Sequence, residues 1–280
     1  MNNVKTQFAR SQLDLKSTRM PAYFFFSDAH LGASYRDDES LRQKRVIEFL
    51  DHAKQHGAGL FIVGDLFDFW VEYRHAIAKR NFAALAKLYE LRRAGLPIDY
   101  IAGNHDLWMG DFLRREVGVV MHEAHVIRDL CGYRTYLIHG DGVAKNDGGY
   151  RLLKRILKNP FIMKSYRWLH PDLGIPLTKL ASHTSRSVKN NPNTWERDYR
   201  SYAESKFAEG HDVVIMGHTH QPLVEASGEK FFINLGDWME HFTYCRLDEN
   251  GPQLLRWPEQ QPYFAKTATA DERKTAEAFS

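Results

Sequence analysis

The chain has 280 residues, 43% of them hydrophobic and 26% charged, with a net charge of +3. That apolar content can bury a full core, and it favours one large domain carrying an insertion over two independent domains. The charge balance is too mild to call for a nucleic-acid partner, no apolar run reaches membrane-spanning length, and two cysteines, Cys131 and Cys245, exclude a disulfide scaffold or a thiolate metal site.

Residues 1–20 are polar with scattered charge and lack the apolar centre of a secretory signal, so a disordered N-terminal tail and a cytoplasmic location are expected. The chain then alternates strand and helix signals, the mark of βαβ units. Tyr23 to Phe26 reads as a buried strand and leads to Asp28 and His30. Val46, Phe49, Leu50 and Ala53 follow at helical spacing, with Gly57 as the stop. Leu60 to Val63 reads as the next strand, and Asp65 follows it. A second helix is expected from Asn81 as N-cap, with Phe82, Leu85 and Tyr89 on one side and Gly95 and Pro97 closing it. The strand Ile98 to Ala102 delivers Asn104 and His105.

Between Val119 and His139 two strand-like stretches flank the turn residues Cys131 and Gly132, and the second ends at His139. The pattern then changes to a helical insertion over about 148–210. A strand from Val213 to Met216 leads to His218 and His220, and short strands follow at Leu223 to Ala226, Phe231 to Asn234, Phe242 to Leu247 and Leu254 to Trp257. The domain is expected to span 21–257, with a flexible C-terminal tail over 258–280.

Eight metal-capable side chains thus sit at five strand ends, and parallel strands ending side by side would bring them to one edge. Asp, Asn and His suit a divalent cation that polarises phosphate. Because side chains at i and i+2 of a strand point the same way, Asp28 with His30, and His218 with His220, are expected to face one cavity in pairs. Gly64, Gly103 and Gly217 each precede a ligand position, where they permit sharp turns and close approach of the backbone to phosphate. Singly, each stop has a plainer reading: Asp28 or Asp65 as a turn or cap residue, Asn104 as a turn former, His218 with His220 as a surface pair. All five in succession favour a site for two metals. Asp68, Asp106 and Asp141 are expected to orient neighbouring groups.

The succession D-x-H, G-D, G-N-H-D, H-G-D and G-H-x-H resembles the calcineurin-like metallophosphoesterases. The resemblance implies an α/β fold, a β-sandwich flanked by helices, with an inserted helical lid. It implies Asp28, His30 and His220 as ligands of a first metal, Asn104, His139 and His218 as ligands of a second, and Asp65 as the bridging carboxylate. Two-metal-activated hydroxide would then attack phosphorus in line, and His105 would be the catalytic residue that stabilises or protonates the departing oxygen.

The insertion between Lys145 and Lys206 carries thirteen Lys and Arg against five Asp and Glu, interleaved with apolar side chains such as Leu152, Phe161 and Trp168. A lid of that composition suits an acyl chain beneath it and an anionic surface beside it, although solvated cations over a packed apolar face would read the same way. The runs from Gly64 to Trp70, from Gly103 to Gly110, at His139 to Gly142 and from Asn234 to Trp238 resemble the UDP-2,3-diacylglucosamine pyrophosphatases of lipid A biosynthesis. That group implies hydrolysis of a nucleotide-sugar lipid to UMP and 2,3-diacylglucosamine 1-phosphate, two divalent metals as Mn2+, and a peripheral position on the inner face of the cytoplasmic membrane. It makes Asn104, His105, Asp147, Ser185, Lys189 and His218 candidates for substrate contact. Its proteobacterial members carry Arg after the metal-binding Asn, where this chain has His105. A phosphodiesterase or phosphatase for cyclic nucleotides or another phospholipid stays open, as does, more remotely, a non-catalytic scaffold.

Overall fold

The computed structural model describes residues 21–33, 39–106, 108–144, 155, 159–174 and 192–263. Two sheets face each other. The larger has the order β12-β11-β10-β1-β2-β3-β4 and the smaller β5-β6-β7-β9-β8. In the first, β1 (Ala22–Phe26), β2 (Gly57–Val63), β3 (Ile98–Ile101) and β4 (Val120–His122) run parallel, linked by α1 (Glu39–His56) and α2 (Phe82–Arg93). The antiparallel strands β10 (Thr243–Asp248), β11 (Gly251–Arg256) and β12 (Gln261–Pro262) extend it on the other side of β1.

The unbroken apolar runs of β1 and β2 follow from burial on both faces. Phe24, Phe26, Leu60 and Ile62 pack with Phe49 and Leu50 of α1, while Phe25, Phe61 and Val63 turn toward the smaller sheet and meet Leu137, Ile215 and Ile233. Phe25 and Phe61 stack with ring centroids 4.9 Å apart. Removing each such side chain from water contributes about 2 kcal/mol, so the strands that lead to the candidate ligands are firmly held.

The smaller sheet contains β5 (His125–Leu130), β6 (Tyr133–Ile138), β7 (Val213–Met216), β8 (Leu223–Ser227) and β9 (Lys230–Asn234). The β5–β6 hairpin turns at Cys131 and Gly132, whose φ angles of 53° and 88° are both positive, as a two-residue turn matched to the strand twist requires. Its outer face is covered by α4 (Pro192–Ala208), through Tyr199 and Ala203 against Val214, Met216 and Phe232. The short α3 (Pro160–Tyr166) begins with Asn159, whose side-chain oxygen accepts the N–H of Phe161 at 2.9 Å.

Some local expectations are revised. Asn81 occupies the N-cap position of α2 but its side chain caps nothing; it is buried at the end of a 3₁₀ turn. The buried face of α2 is Ala84, Leu85, Leu88 and Leu91, whereas Phe82 and Tyr89 are exposed, because the helix docks one position round from the stripe that includes them. The stretch before Cys131 holds two strands, β4 and β5, that belong to different sheets. Paired residues also continue past Trp257, since β12 adds Gln261 and Pro262 to the edge of the larger sheet. Of the predicted insertion, α3 and α4 are seen, and Asp147, Ser185 and Lys189 lie outside the described residues. Among the described residues no helix is long and apolar enough to cross a membrane.

Candidate metal centre

The loops after β1, β2, β3, β6 and β7 converge across the open edge between the two sheets, and the side chains named from the sequence meet there. His30 Nε2 lies 3.2 Å from His220 Nε2 and 3.7 Å from Asp28 Oδ1, and His220 Nε2 lies 3.2 Å from the same oxygen. On the other side Asn104 Oδ1 is 2.9 Å from His139 Nε2 and 2.7 Å from His218 Nδ1. Asp65 stands between the groups, its Oδ2 3.9 Å from His30 Nε2 and 3.3 Å from His139 Nε2. Two ligand-sized clusters therefore share one carboxylate.

The pairing does not arise from strand pleating. Asp28 and His30 follow the end of β1, His218 and His220 follow the end of β7, and all four residues, with Asp65, adopt left-handed backbone at φ of 53°, 44°, 70°, 59° and 53°. Such backbone costs about 1–2 kcal/mol for each residue with a Cβ. The loops are held by cross-links: the N–H of Asp28 donates to Gly64 O at 3.1 Å, that of His30 to Asp65 O at 3.0 Å, and that of Gly217 to His139 O at 2.9 Å. Asp28 Oδ2 accepts the N–H of His218 at 2.9 Å, joining the two sheets. The glycines serve the side chains of the site itself. A Cβ at Gly64, which has φ of 86°, would collide with the His139 ring, one at Gly103 with the Asp65 carboxylate, and one at Gly217 with Ser27 and Asp28.

Hydrogen bonds fix the imidazoles. His139 Nδ1 donates to Val63 O at 2.8 Å, which turns Nε2 toward Asp65 and Asn104. His105 Nδ1 donates to the carbonyl of Asp68, and its Nε2 sits 4.0 Å from Asp65 Oδ2. His30, Asp68 and His105 also come together closely enough to share an ion. Asp106 is buried behind Asp65, where Oδ2 accepts the N–H groups of Asp65 at 2.8 Å and Gly103 at 3.0 Å while Oδ1 accepts the Tyr100 hydroxyl at 2.9 Å. Burial and then the Asp65 charge lift its pKa to about 6. Asn234 steadies the other side, its amide donating to Gly217 O at 3.0 Å.

The electrostatics ask for positive charge at the centre. Burial opposes ionisation of Asp28 and Asp65, yet the surrounding histidines, His139 foremost, outweigh it and keep both carboxyls well below the usual range. Burial also opposes a charge on His139, but Asp65 and Asp28 lift its pKa to about 10. Burial leads at His30, held down to about 3 with His105 and His220 adding to it against Asp28 and Asp65, and leads at His218, held to about 4 with His139 adding to it. His220 is raised, since Asp28 overcomes its burial. Asp28 Oδ1 and His30 Nδ1 are buried without a hydrogen-bond partner. Acceptor atoms turned on shared points, paired carboxylates, an amide oxygen, imidazoles and no thiolate are the donor set of divalent cations such as Mn2+, Fe2+, Co2+ and Zn2+, so the residues fit such ions.

Two contributors carry no local signal in the sequence. Tyr100, inside β3, accepts the N–H of Leu66 at 3.3 Å while donating to Asp106. Glu72 accepts the backbone N–H groups of Gly110 and Asp111 at 3.1 Å and of Phe112 at 3.3 Å, clasping the loop that carries Asn104 and His105 to the loop that carries Asp65.

Residues 23–222 match the calcineurin-like phosphoesterase family. The chain is 31% identical over 245 residues to a UDP-2,3-diacylglucosamine hydrolase of Porphyromonas gingivalis, covering 80% of this chain and 93% of that protein. It is 30% identical over 223 residues to the protein of the same name in Nitrosococcus oceani, covering 78% and 87%. Among solved structures, Yfce, a phosphoesterase from E. coli, aligns over 87% of this chain and 97% of its own at 18% identity and a TM-score of 0.45. With the family match spanning most of the chain, and the site's two clusters of hard and borderline donors set around one carboxylate, the chain belongs to the calcineurin-like phosphoesterases, metal-dependent hydrolases.

Proposed function

We propose that this enzyme hydrolyses the diphosphate of UDP-2,3-diacylglucosamine, or a close lipid-sugar nucleotide, to UMP and 2,3-diacylglucosamine 1-phosphate. The observation that carries the reading is Asp65 standing between the Asp28, His30, His220 cluster and the Asn104, His139, His218 cluster. Those seven residues would hold two divalent cations, Mn2+ in this reading, which when bound supply Lewis-acid polarisation of phosphoryl oxygens and a more acidic water. The remaining work falls to the chain. His105, anchored through Nδ1 to the Asp68 carbonyl, offers Nε2 to carry a proton to the oxygen that leaves as the P–O–P bond breaks. Asp106 and Glu72 keep the two loops in register around it.

The curated relatives named above support the lipid substrate, and so does the surface of α3 and the residues after it. Phe161, Trp168 and Leu173 are 79%, 84% and 63% exposed, beside Lys164 and Arg167. Exposed aromatics with cations suit a peripheral contact with an anionic membrane at its cytoplasmic face. Asp147, Ser185 and Lys189 complete the proposed substrate contacts, with Asn104, His105 and His218.

Purified protein with Mn2+ and UDP-2,3-diacylglucosamine is expected to release UMP. Absence of UMP at every metal loading would sink the reading. Equal turnover of the deacylated UDP-sugar would favour a general phosphodiesterase instead.

A further inference from the structure

At the opposite edge of the larger sheet from the metal centre, where β1 and β2 begin, lies a cavity of about 930 Å³. Its floor is a row across three strands. Phe24 on β1 stands opposite Arg246 on β10, which stands opposite Gln253 on β11, so the pleat turns all three side chains to the α1 side. The last turn of α1 overhangs this row and brings His52 and His56, one helical turn apart, to ring centroids 4.5 Å from each other. Ala22, Tyr244 and Leu255 complete an apolar base.

The chemistry of the lining has one sign. Among the described residues no Asp or Glu lines the cavity, while Arg246, His52, His56 and the amides of Gln55, Gln253 and Gln260 do. Asp248 holds Arg246 Nη2 at 2.6 Å and is not among the lining residues, so the guanidinium is fixed from behind with its other N–H groups available. Among the described residues neither His52 nor His56 makes a hydrogen bond. The C-terminal end of α1 adds about half a negative charge, and the hydrogen-bond donors of Arg246, the two imidazoles and the three amides are what the lining offers an anion. Burial first, then His56 and Arg246, hold the His52 pKa to about 4, so this imidazole is neutral and offers one ring N–H.

We propose that this cavity binds a small phosphorylated anion, with His52, His56 and Arg246 donating to its oxygens and the exposed Pro21 and Pro262 against its organic part. A volume of about 930 Å³ holds more than a bare phosphate and falls in the range of small-molecule sites. The site is separate from the metal centre and does not depend on which phosphoester is hydrolysed there.

The test follows the imidazole resonances of His52 and His56 in the full-length protein loaded with Mg2+ as a diamagnetic cation, during titration with UMP and, separately, inorganic phosphate. Both ligands are expected to give saturable shifts at these two histidines, UMP at the lower concentration. His56→Gln and Arg246→Gln are each expected to weaken the response of His52 roughly tenfold, the loss of one charge-assisted hydrogen bond, with hydrolytic turnover unchanged. His56 is exposed, so its variant folds even where the loss of the Arg246 ion pair is not tolerated. No saturable shift at millimolar ligand, or the same affinity in His56→Gln as in the wild type, overturns the proposal.

Discussion

Asp65 and His105 are joined twice: Asp65 Oδ1 accepts the backbone N–H of His105 at 2.9 Å, and Asp65 Oδ2 lies 4.0 Å from His105 Nε2. One carboxylate thereby stands between the two proposed metal positions and also sets the loop of the proposed proton carrier. Asp65→Asn keeps an oxygen for the His105 N–H but removes the charge that draws the histidines in. It is expected to fold with a lower Tm, since a carboxyl held well below the usual range stabilises the folded chain as its anion, and to lose more than about a hundredfold in turnover, beyond the effect usual for a residue that only supports a ligand. Thermal melts and steady-state kinetics on the same preparation check both halves.

His105 separates proton transfer from metal holding. Its Nδ1 is committed to the Asp68 carbonyl, and neither of the two clusters that flank Asp65 includes it. His105→Ala is therefore expected to lower kcat by about 10²–10⁴ while elemental analysis finds the same metal content as in the wild type. Loss of metal along with activity would show that His105 is a ligand.

Asp106 concerns stability. Removing its carboxyl strands three buried groups, the N–H of Asp65, the N–H of Gly103 and the Tyr100 hydroxyl. Each such group left unpaired costs about 1–3 kcal/mol, so Asp106→Ala is expected to lose about 3 kcal/mol or more in urea unfolding. Asp106→Asn retains an oxygen for the two N–H groups and turns an amide toward Tyr100, whose hydroxyl can reorient. About 1 kcal/mol is expected there.

These contrasts mark how far local sequence reaches. The apolar runs leading to Asp28, Asp65, Asn104, His139 and His218 were legible because strands buried on both faces need unbroken hydrophobic stretches, and the ligand residues stand out by their chemistry. The reason they converge was not legible. Left-handed backbone at Asp28, His30, Asp65, His218 and His220 is imposed by cross-links such as Asp28 to Gly64 and His218 to Asp28, which join residues distant in sequence. Glu72 and Tyr100 carry no signal on the same ground: a glutamate in a loop and a tyrosine in a strand look ordinary until their partners, 38 and 6 residues away, are in place. Phe82 and Tyr89 show the converse, apolar residues at helical spacing that nonetheless face solvent.

Acid should weaken the fold through His52. In the folded chain its pKa is about 4, because burial, His56 and Arg246 disfavour the cation, against an ordinary value of 6.5. Between these values the unfolded chain binds more protons, so the contribution of His52 is complete above pH 6.5 and is lost as pH falls toward 4. His52→Gln cannot take up that proton. Its Tm is expected to fall less than that of the wild type between pH 6.5 and 4, as differential scanning calorimetry in low-chloride buffer would show; parallel curves would contradict the assignment.

The exposed aromatic residues of α3 and the segment after it lead to a prediction in which stability and function part. Phe161 and Trp168 are 79% and 84% exposed, so replacing both with serine removes little buried surface and is expected to change folding stability by no more than about 0.5 kcal/mol per site. Taking the same side chains from an interface is another matter, since an aromatic inserted among lipid headgroups gains from apolar burial while Lys164 and Arg167 meet anionic lipid. The double variant is expected to lose sedimentation with anionic vesicles and to turn over vesicle-embedded acylated substrate more slowly, with no change on a soluble short-chain analogue. Unchanged vesicle binding would assign the exposed aromatics to another contact and leave the metal chemistry untouched.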